Sequence, residues 1–186
     1  MLSQLEYVGC RKILKAVPYD RVDLPVLQHI AEEAQHALQL KALVQDRFPH
    51  ATWGDRPLSV IGWRYFQSLD QVVSRLEGVR GLNYPAVSWI VEQRVLQVYP
   101  EYLAATKNEE VRRVLTRVIA QERRHGGLFD RVSYPDGLRE RMLRIETELW
   151  NGFVRDAHTY LASGDAPAWL LADEARGQYC ELRATD

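Results

Sequence analysis

Apolar positions recur every three or four residues in six stretches of the chain, the spacing that lines one face of an α-helix. Leu2, Leu5, Gly9, Ile13 and Ala16 trace the first, and Pro18 closes it, so residues 2–17 read as a helix. Asp23 ahead of Leu24-Pro25 marks a second start, with the acid as cap and proline tolerated in the first turn. Val26, Ile30, Ala37, Leu40 and Val44 carry its inner face to Phe48-Pro49. Residues 49–62, with Pro49, Gly54, Pro57 and Gly62, read as a connection. A third helix carries Trp63, Phe66, Leu69, Val72, Val73 and Leu76 and ends at Gly78 and Gly81. Asn83-Tyr84-Pro85 opens a fourth, with Trp89, Leu96, Tyr99 and Leu103 inward and a bend expected at Pro100.

Asn108 caps a fifth helix, with Glu109 and Glu110 in its first turn complementing the dipole. Val111, Leu115, Val118, Ile119 and Phe129 run down its inner side, and Gly126-Gly127 should loosen its end or allow close packing. After Pro135-Asp136-Gly137, a sixth places Met142, Ile145, Leu149, Phe153 and Tyr160 inward and Glu146, Glu148 and Arg155 mostly outward. Residues 163–186 read as a short packed helix near Trp169 followed by a loose polar tail. The expectation is an all-α chain forming one domain over 1–186. Its bundle core covers about 2–130, a flanking helix about 138–162, and a tail 163–186.

Certain polar residues sit on these apolar faces rather than opposite them. Glu33 and His36 lie on the inner stripe of the second helix, and Glu122 and His125 on that of the fifth. Residues three apart share a helix face, so each pair presents a carboxylate and an imidazole toward one point, a chelating arrangement for a transition metal. With 5 histidines in 186 residues, about 0.4 such Glu-x-x-His pairs would arise by chance, so two are an excess. Glu6 and Glu92 fall inside the stripes of the first and fourth helices. Two Glu-x-x-His pairs with one lone carboxylate from each of two further helices is the recipe for a dinuclear iron or manganese site in a four-helix bundle.

His29, four before Glu33 and seven before His36, is a candidate third imidazole, a partner that hydrogen-bonds to the ligands, or an ordinary half-buried histidine. Glu32, turned about 100° from Glu33, should face outward. His158 has no carboxylate three before it and reads as structural. Tyr99, Tyr102 and Trp89 are read as packing.

Composition narrows the function classes. The formal charge is −1 with no long block of one sign, so neither nucleic acid nor an anionic membrane is the expected partner. The Arg pairs at 112/113 and 123/124 read as solvated faces. Cys10 and Cys180 are the only cysteines and form no Cys-x-x-Cys, which excludes a rubredoxin-type iron centre or a zinc knuckle built from this chain alone. No run approaches the roughly 18 to 20 apolar residues needed to cross a bilayer. Met1 to Leu14 mixes charges into its apolar residues unlike a signal peptide, so a cytoplasmic location is expected.

With Glu6, Glu33-x-x-His36, Glu92 and Glu122-x-x-His125 in place, residues 2–130 resemble the ferritin-like di-iron carboxylate superfamily. Its members include bacterioferritins, rubrerythrins, ribonucleotide reductase small subunits and aldehyde-deformylating oxygenases, and the intervals look closest to the last. Glu6 and Glu33 are 27 residues apart and Glu92 and Glu122 are 30 apart, as expected of two repeated helix hairpins. The resemblance implies a ferritin-like four-helix bundle whose extra helix crosses between bundle helices two and three, with one more helix toward the C-terminus. It implies two iron ions, or an Fe/Mn or Mn/Mn pair. Glu6 and Glu92 would be terminal ligands, Glu33 and Glu122 would bridge, and His36 and His125 would hold one metal each. The di-iron N-oxygenases in this superfamily carry an extra ligating imidazole on a different helix, the comparison His29 invites.

Three functions compete. The first is an oxidase or oxygenase that activates O2 or peroxide against a small organic substrate, drawing on an external electron donor. The second is a ferroxidase or iron-storage protein, and the third a metal-free structural bundle. A homodimer is the expected assembly, since twofold dimers are the commonest.

Overall fold

A computed structural model of the chain describes residues 2–17, 20, 22–47 and 56–164. Among the described residues there are six α-helices and no strand: α1 (Leu2–Ala16), α2 (Leu24–Arg47), α3 (Arg56–Ser74), α4 (Asn83–Ala105), α5 (Glu109–Asp130) and α6 (Leu138–Ala162). Each of the six helices expected between residues 2 and 162 is present. The third differs most, because it begins at Arg56, inside the stretch expected to be a connection. Proline is tolerated in a first helical turn, so Pro57 opens α3 instead of preventing it. Gly62 is buried within that helix. The expected short helix near Trp169 and the tail from residue 165 lie outside the described residues, as do 48–55 of the connection.

Local signals explain the ends. Asp23 Oδ1 accepts from the Val26 amide at 3.0 Å, and Asn108 Oδ1 accepts from the amides of Glu110 and Val111 at 2.9 Å each, so both expected caps form. Gly137 precedes α6 with φ 74°, a left-handed conformation that glycine adopts without penalty. Pro100 and Gly126-Gly127 are carried inside α4 and α5, which continue to Ala105 and Asp130.

Side-chain contacts fix how the helices run. Ser3 donates to the Ala37 carbonyl and Cys10 to the Ile30 carbonyl, so α1 and α2 are antiparallel. His36 meets Gln121 while the His29 ring lies 4.2 Å from that of His125, so α2 and α5 are antiparallel too. Trp89 donates to Asp130 at 2.9 Å and Arg112 to the Leu103 carbonyl at 2.7 Å, which sets α4 antiparallel to α5. α1 also contacts α4, closing a group of four helices, while α3 and α6 pack on each other and on α4.

The apolar core is in two parts. The larger gathers Tyr65, Phe66 and Leu69 of α3, Ile90 of α4, Phe129 of α5 and Met142 of α6. The smaller joins Tyr99 of α4 to Leu115, Val118 and Ile119 of α5. Along α4 and α5, Glu92, Glu122 and His125 sit between those two layers. Some faces differ from expectation at their margins: Val44, Trp63 and Val72 are exposed. The larger correction is Glu146, expected outward and in fact 2% exposed, because α3 and α4 cover that side of α6 and supply it with partners. No helix among the described residues is long and apolar enough to cross a membrane.

Candidate metal centre

Glu6, His29, Glu33, His36, Glu92, Glu122 and His125 are all buried, none more than 6% exposed. Burying four carboxylates without compensation would cost several kcal/mol each. Among the described residues, no lysine or arginine pairs with them. Instead they converge in two groups, Glu6, Glu33, His36 and Glu122, and His29, Glu33, Glu92 and His125. In each, one ligand atom per residue lies within 4.8 Å of every other, so either group can hold a metal ion, and Glu33 belongs to both. Glu122 also spans the two. Its Oε1 lies 2.9 Å from Nδ1 of His36 and its Oε2 lies 2.9 Å from Nδ1 of His125.

The other separations in the cluster are longer. His36 Nδ1 is 3.8 Å from Glu6, and His125 Nδ1 is 3.5 Å from Glu33 and 3.7 Å from Glu92. His29 Nε2 is 3.3 Å from Glu33 and 3.6 Å from Glu92. Oxygen and nitrogen ligands about 2.1 Å from an octahedral ion stand about 3 Å apart along an edge, so these spacings suit ligands around an ion. Moreover, His36 Nδ1, Glu122 Oε1 and Glu92 Oε2 are buried without an aligned hydrogen bond, although the first two are only 2.9 Å apart. Polar atoms stranded in this way rarely persist without a partner, and a metal ion is one they fit.

The far nitrogen of every imidazole in the cluster is held. His36 Nε2 meets Gln121 Oε1 at 3.1 Å, His125 Nε2 meets Glu32 Oε2 at 2.6 Å, and His29 Nδ1 meets the Tyr84 hydroxyl at 3.2 Å. With the far nitrogen protonated and donating, the near one keeps its lone pair for the cluster, the pattern by which proteins orient metal-ligating histidines. Tyr99 donates to Glu6 Oε1 and orients that carboxylate likewise.

Charge in the metal-free cluster is strained. Burial, aided by the nearby Glu6 and Glu122, pushes Glu33 up to about 7 despite its bond with His29. Burial and the surrounding acids raise Glu92 well above the usual carboxylate range. Glu122 goes the other way: burial would raise it, but bonds with His125 and His36 outweigh burial and hold it low. Burial opposes the charge on His36, yet Glu122 and Glu6 push it up to about 11, and Glu122 and Glu32 raise His125 for the same reason. Metal-free, the cluster must trap protons to offset its own anions; two divalent ions would supply the same charge.

The six residues expected to bind metal are therefore brought together, and His29 joins them at the same distances. Four participants escaped sequence reading. Glu32 was expected to face outward, yet it bonds to His125 and pairs with Arg124 at 2.9 Å, so Arg124 is not a merely solvated residue either. Gln121 and Tyr84 hold histidines from other helices, and nothing in their local spacing marks them. Gly9 is the fourth, since a Cβ there would lie 2.9 Å from Glu33 Oε2. Tyr99, read as packing, does carry a signal: it lies seven residues after Glu92, on the same face.

A cavity of about 530 Å³ opens between α1, α3 and α4 and reaches Glu6, Glu33, Glu92 and Glu122. Its size lies in the range of small-molecule sites. No family model, curated protein or solved structure matches the chain.

Proposed function

We propose that this chain is a ferritin-like di-iron carboxylate oxidoreductase that activates O2 or peroxide against a small organic substrate. The observation that carries the reading is the set of three imidazoles, each turning one nitrogen into a shared carboxylate cluster while a neighbouring helix holds the other. Helix direction supports the ferritin-like connectivity. If α1, α2 and α5 alternate and α4 opposes α5, then α2 and α4 run the same way, and α3 lies between them in sequence as the crossover.

Glu33 and Glu122 would be shared by two ions, since each reaches both groups, while Glu6 and Glu92 would each serve one. His36 would hold one ion and His125 the other, with His29 beside His125 as an additional ligand. Four carboxylates balance two divalent charges, and oxygen with imidazole nitrogen suits iron or manganese. Bound iron would supply the one-electron chemistry that O2 activation requires and that side chains lack. The chain's own residues orient the ligands through Glu32, Gln121, Tyr84 and Tyr99, and two apolar layers pack above and below the cluster along α4 and α5. The cavity favours this reading over iron storage, because it gives an organic molecule room at the cluster.

Elemental analysis of protein purified without chelator tests the proposal, beside Glu122→Ala. About two iron or manganese ions per chain, lost in the variant, is the expected result. No metal in either, including after anaerobic iron loading, overturns it.

A further inference from the structure

The outer side of α5 carries a stripe of arginines. Arg113, Arg117, Arg124 and Arg131 are all exposed, and their spacing of four, seven and seven residues sets them within about 40° of one another around the helix axis. Arg131 continues the spiral past Asp130, since its backbone is still right-handed helical. The stripe is about 27 Å long, and Thr116, Ala120 and Gly127 beside it are small and neutral. Among the described residues, only Arg124 of the four has an ion-pair partner, Glu32. On a chain of formal charge −1, this is a local concentration of uncompensated positive charge. Arg124 is also where the stripe meets the cluster. Its guanidinium is 56% exposed and lies 2.9 Å from Glu32 Oε1, while Glu32 Oε2 meets His125 Nε2 at 2.6 Å. Two contacts thus connect an accessible cation to an imidazole of the cluster. A pocket of about 270 Å³ lies at the same place, lined from α2 and α5 alone, with His29 and His125 in its wall and exposed Leu24 and Leu128 among its lining.

We propose that the arginine face of α5 docks an acidic one-electron carrier protein, which passes electrons to the cluster by way of Arg124, Glu32 and His125. The assignment names the partner of the site and rests on the di-metal reading for where the electron goes. Each encounter oxidises the carrier by one electron and reduces one ferric ion to ferrous, with no bond made or broken, so two encounters serve two ions. An acidic surface meets its complement here: opposite charge steers encounter and orients it, and a partner that must leave after one electron needs only a small, salt-sensitive interface. A protein bringing the organic substrate would instead need the larger cavity, which draws on α1, α3 and α4. Nucleic acid suits the face less well, because α5 exposes no aromatic ring on which a base could stack.

The test uses a plant-type [2Fe–2S] ferredoxin as the acidic carrier and full-length protein, iron-loaded and metal-free, with metal content measured on the same samples. Calorimetry should show ferredoxin binding in both forms, weakened at least about tenfold when salt rises from about 0.05 M to about 0.3 M. Stopped-flow absorbance should show reduced ferredoxin giving up its electrons to the ferric-loaded protein without oxygen. Arg113→Glu with Arg117→Glu, which leaves Arg124 and Glu32 in place, should weaken binding and slow that transfer at least about tenfold. Metal content and the rate of reduction by dithionite, which needs no docking, should stay the same. Arg141→Glu with Arg144→Glu makes the same change in net charge on exposed positions of α6 and should leave ferredoxin binding unchanged. Equal losses in the two double variants, or no salt-sensitive binding of ferredoxin to the unaltered protein, overturn the proposal. So does a single-stranded RNA of about 20 nucleotides that binds more tightly than ferredoxin and is lost in the α5 variant, which would assign the face to nucleic acid. Metal content alone decides the di-metal reading, and docking is read in the metal-free protein as well, so the two ideas fail separately.

Discussion

Two glutamates in this protein are about equally inaccessible, Glu122 at 1% and Glu146 at 2% exposure, and they do opposite things. Glu146 of α6 accepts from Tyr65 at 2.6 Å and from Arg94 Nε at 2.8 Å, and Arg94 itself stacks 4.9 Å from the centroid of the Trp150 ring. Its charge is cancelled within three helices, and its oxygens have donors. Glu122 of α5 sits among three other carboxylates with, among the described residues, imidazoles rather than a lysine or arginine beside it, and one of its oxygens has no aligned donor. A buried acid is therefore no evidence for a metal; a buried acid whose neighbours leave charge and lone pairs over is. The two regions can be broken independently.

Metal removal should have the largest effect. Stripping the loaded protein with chelator should lower its melting temperature by at least about 10 °C, on the order of 4 kcal/mol for a chain of this size. The pH dependence should also reverse. In the metal-free protein Glu33 is raised from 4.5 to about 7 and His36 from 6.5 to about 11. Groups raised in this way contribute stability that is present below their unfolded values and lost as pH climbs toward the folded ones. Glu92 and His125 are raised too and act with the same sign. Glu122, held low, loses its contribution only below about 4.5 and does not enter that window. Between about pH 5 and 8 the metal-free protein should thus become less stable while the loaded form becomes more stable, since its ligands must be deprotonated to bind. Melting curves across that range check this, and parallel slopes would contradict it.

The Glu146 region should respond to the opposite lesion. Arg94→Met leaves a buried carboxylate without its counter-charge, which costs 3–5 kcal/mol in fully buried pairs. Arg94 keeps 15% exposure, so the lower end applies, about 3 kcal/mol or a fall of about 6–12 °C. Metal per chain should stay the same. The double variant with Glu146→Leu should recover most of the loss, because removing both partners strands nothing. Loss of metal in Arg94→Met would show that the two regions are coupled.

This contrast also marks where sequence reading stops. Helical spacing places Glu6, Glu33, His36, Glu92, Glu122 and His125 on inward faces, and all six are buried, because a helix carries its periodicity within itself. Glu146 defeats the same reading, since its burial depends on α3 and α4 arriving at that side, a fact carried by no single helix. Glu32 fails for a related reason. It points about 100° away from Glu33, but α5 lies close enough there for His125 Nε2 to reach it. The start of α3 was hidden by Pro57 and Gly62, which resemble loop punctuation when their neighbours in space are unknown. What periodicity encodes was legible; what docking between helices decides was not.

Gly9 sharpens the comparison at the smallest scale, because two effects of similar size oppose each other there. Alanine in place of glycine within a helix gains about 1 kcal/mol from propensity alone. Its Cβ, however, would lie 2.9 Å from Glu33 Oε2, closer than real Cβ contacts allow. In the metal-free protein that oxygen is the far end of a side chain anchored only by its other oxygen, 3.3 Å from His29 Nε2, and it can shift by a few tenths of an ångström, so Gly9→Ala should be neutral or stabilising by up to about 1 kcal/mol. Once Glu33 is fixed as a ligand to two ions it cannot yield, and the strain should cost about 1–3 kcal/mol, felt as weaker or incomplete metal loading. Opposite signs of the change in melting temperature, with and without metal, are the expected result. A stabilisation of equal size in both forms would mean that Glu33 is not held by metal, and the difference between the two buried glutamate sites would then be one of packing alone.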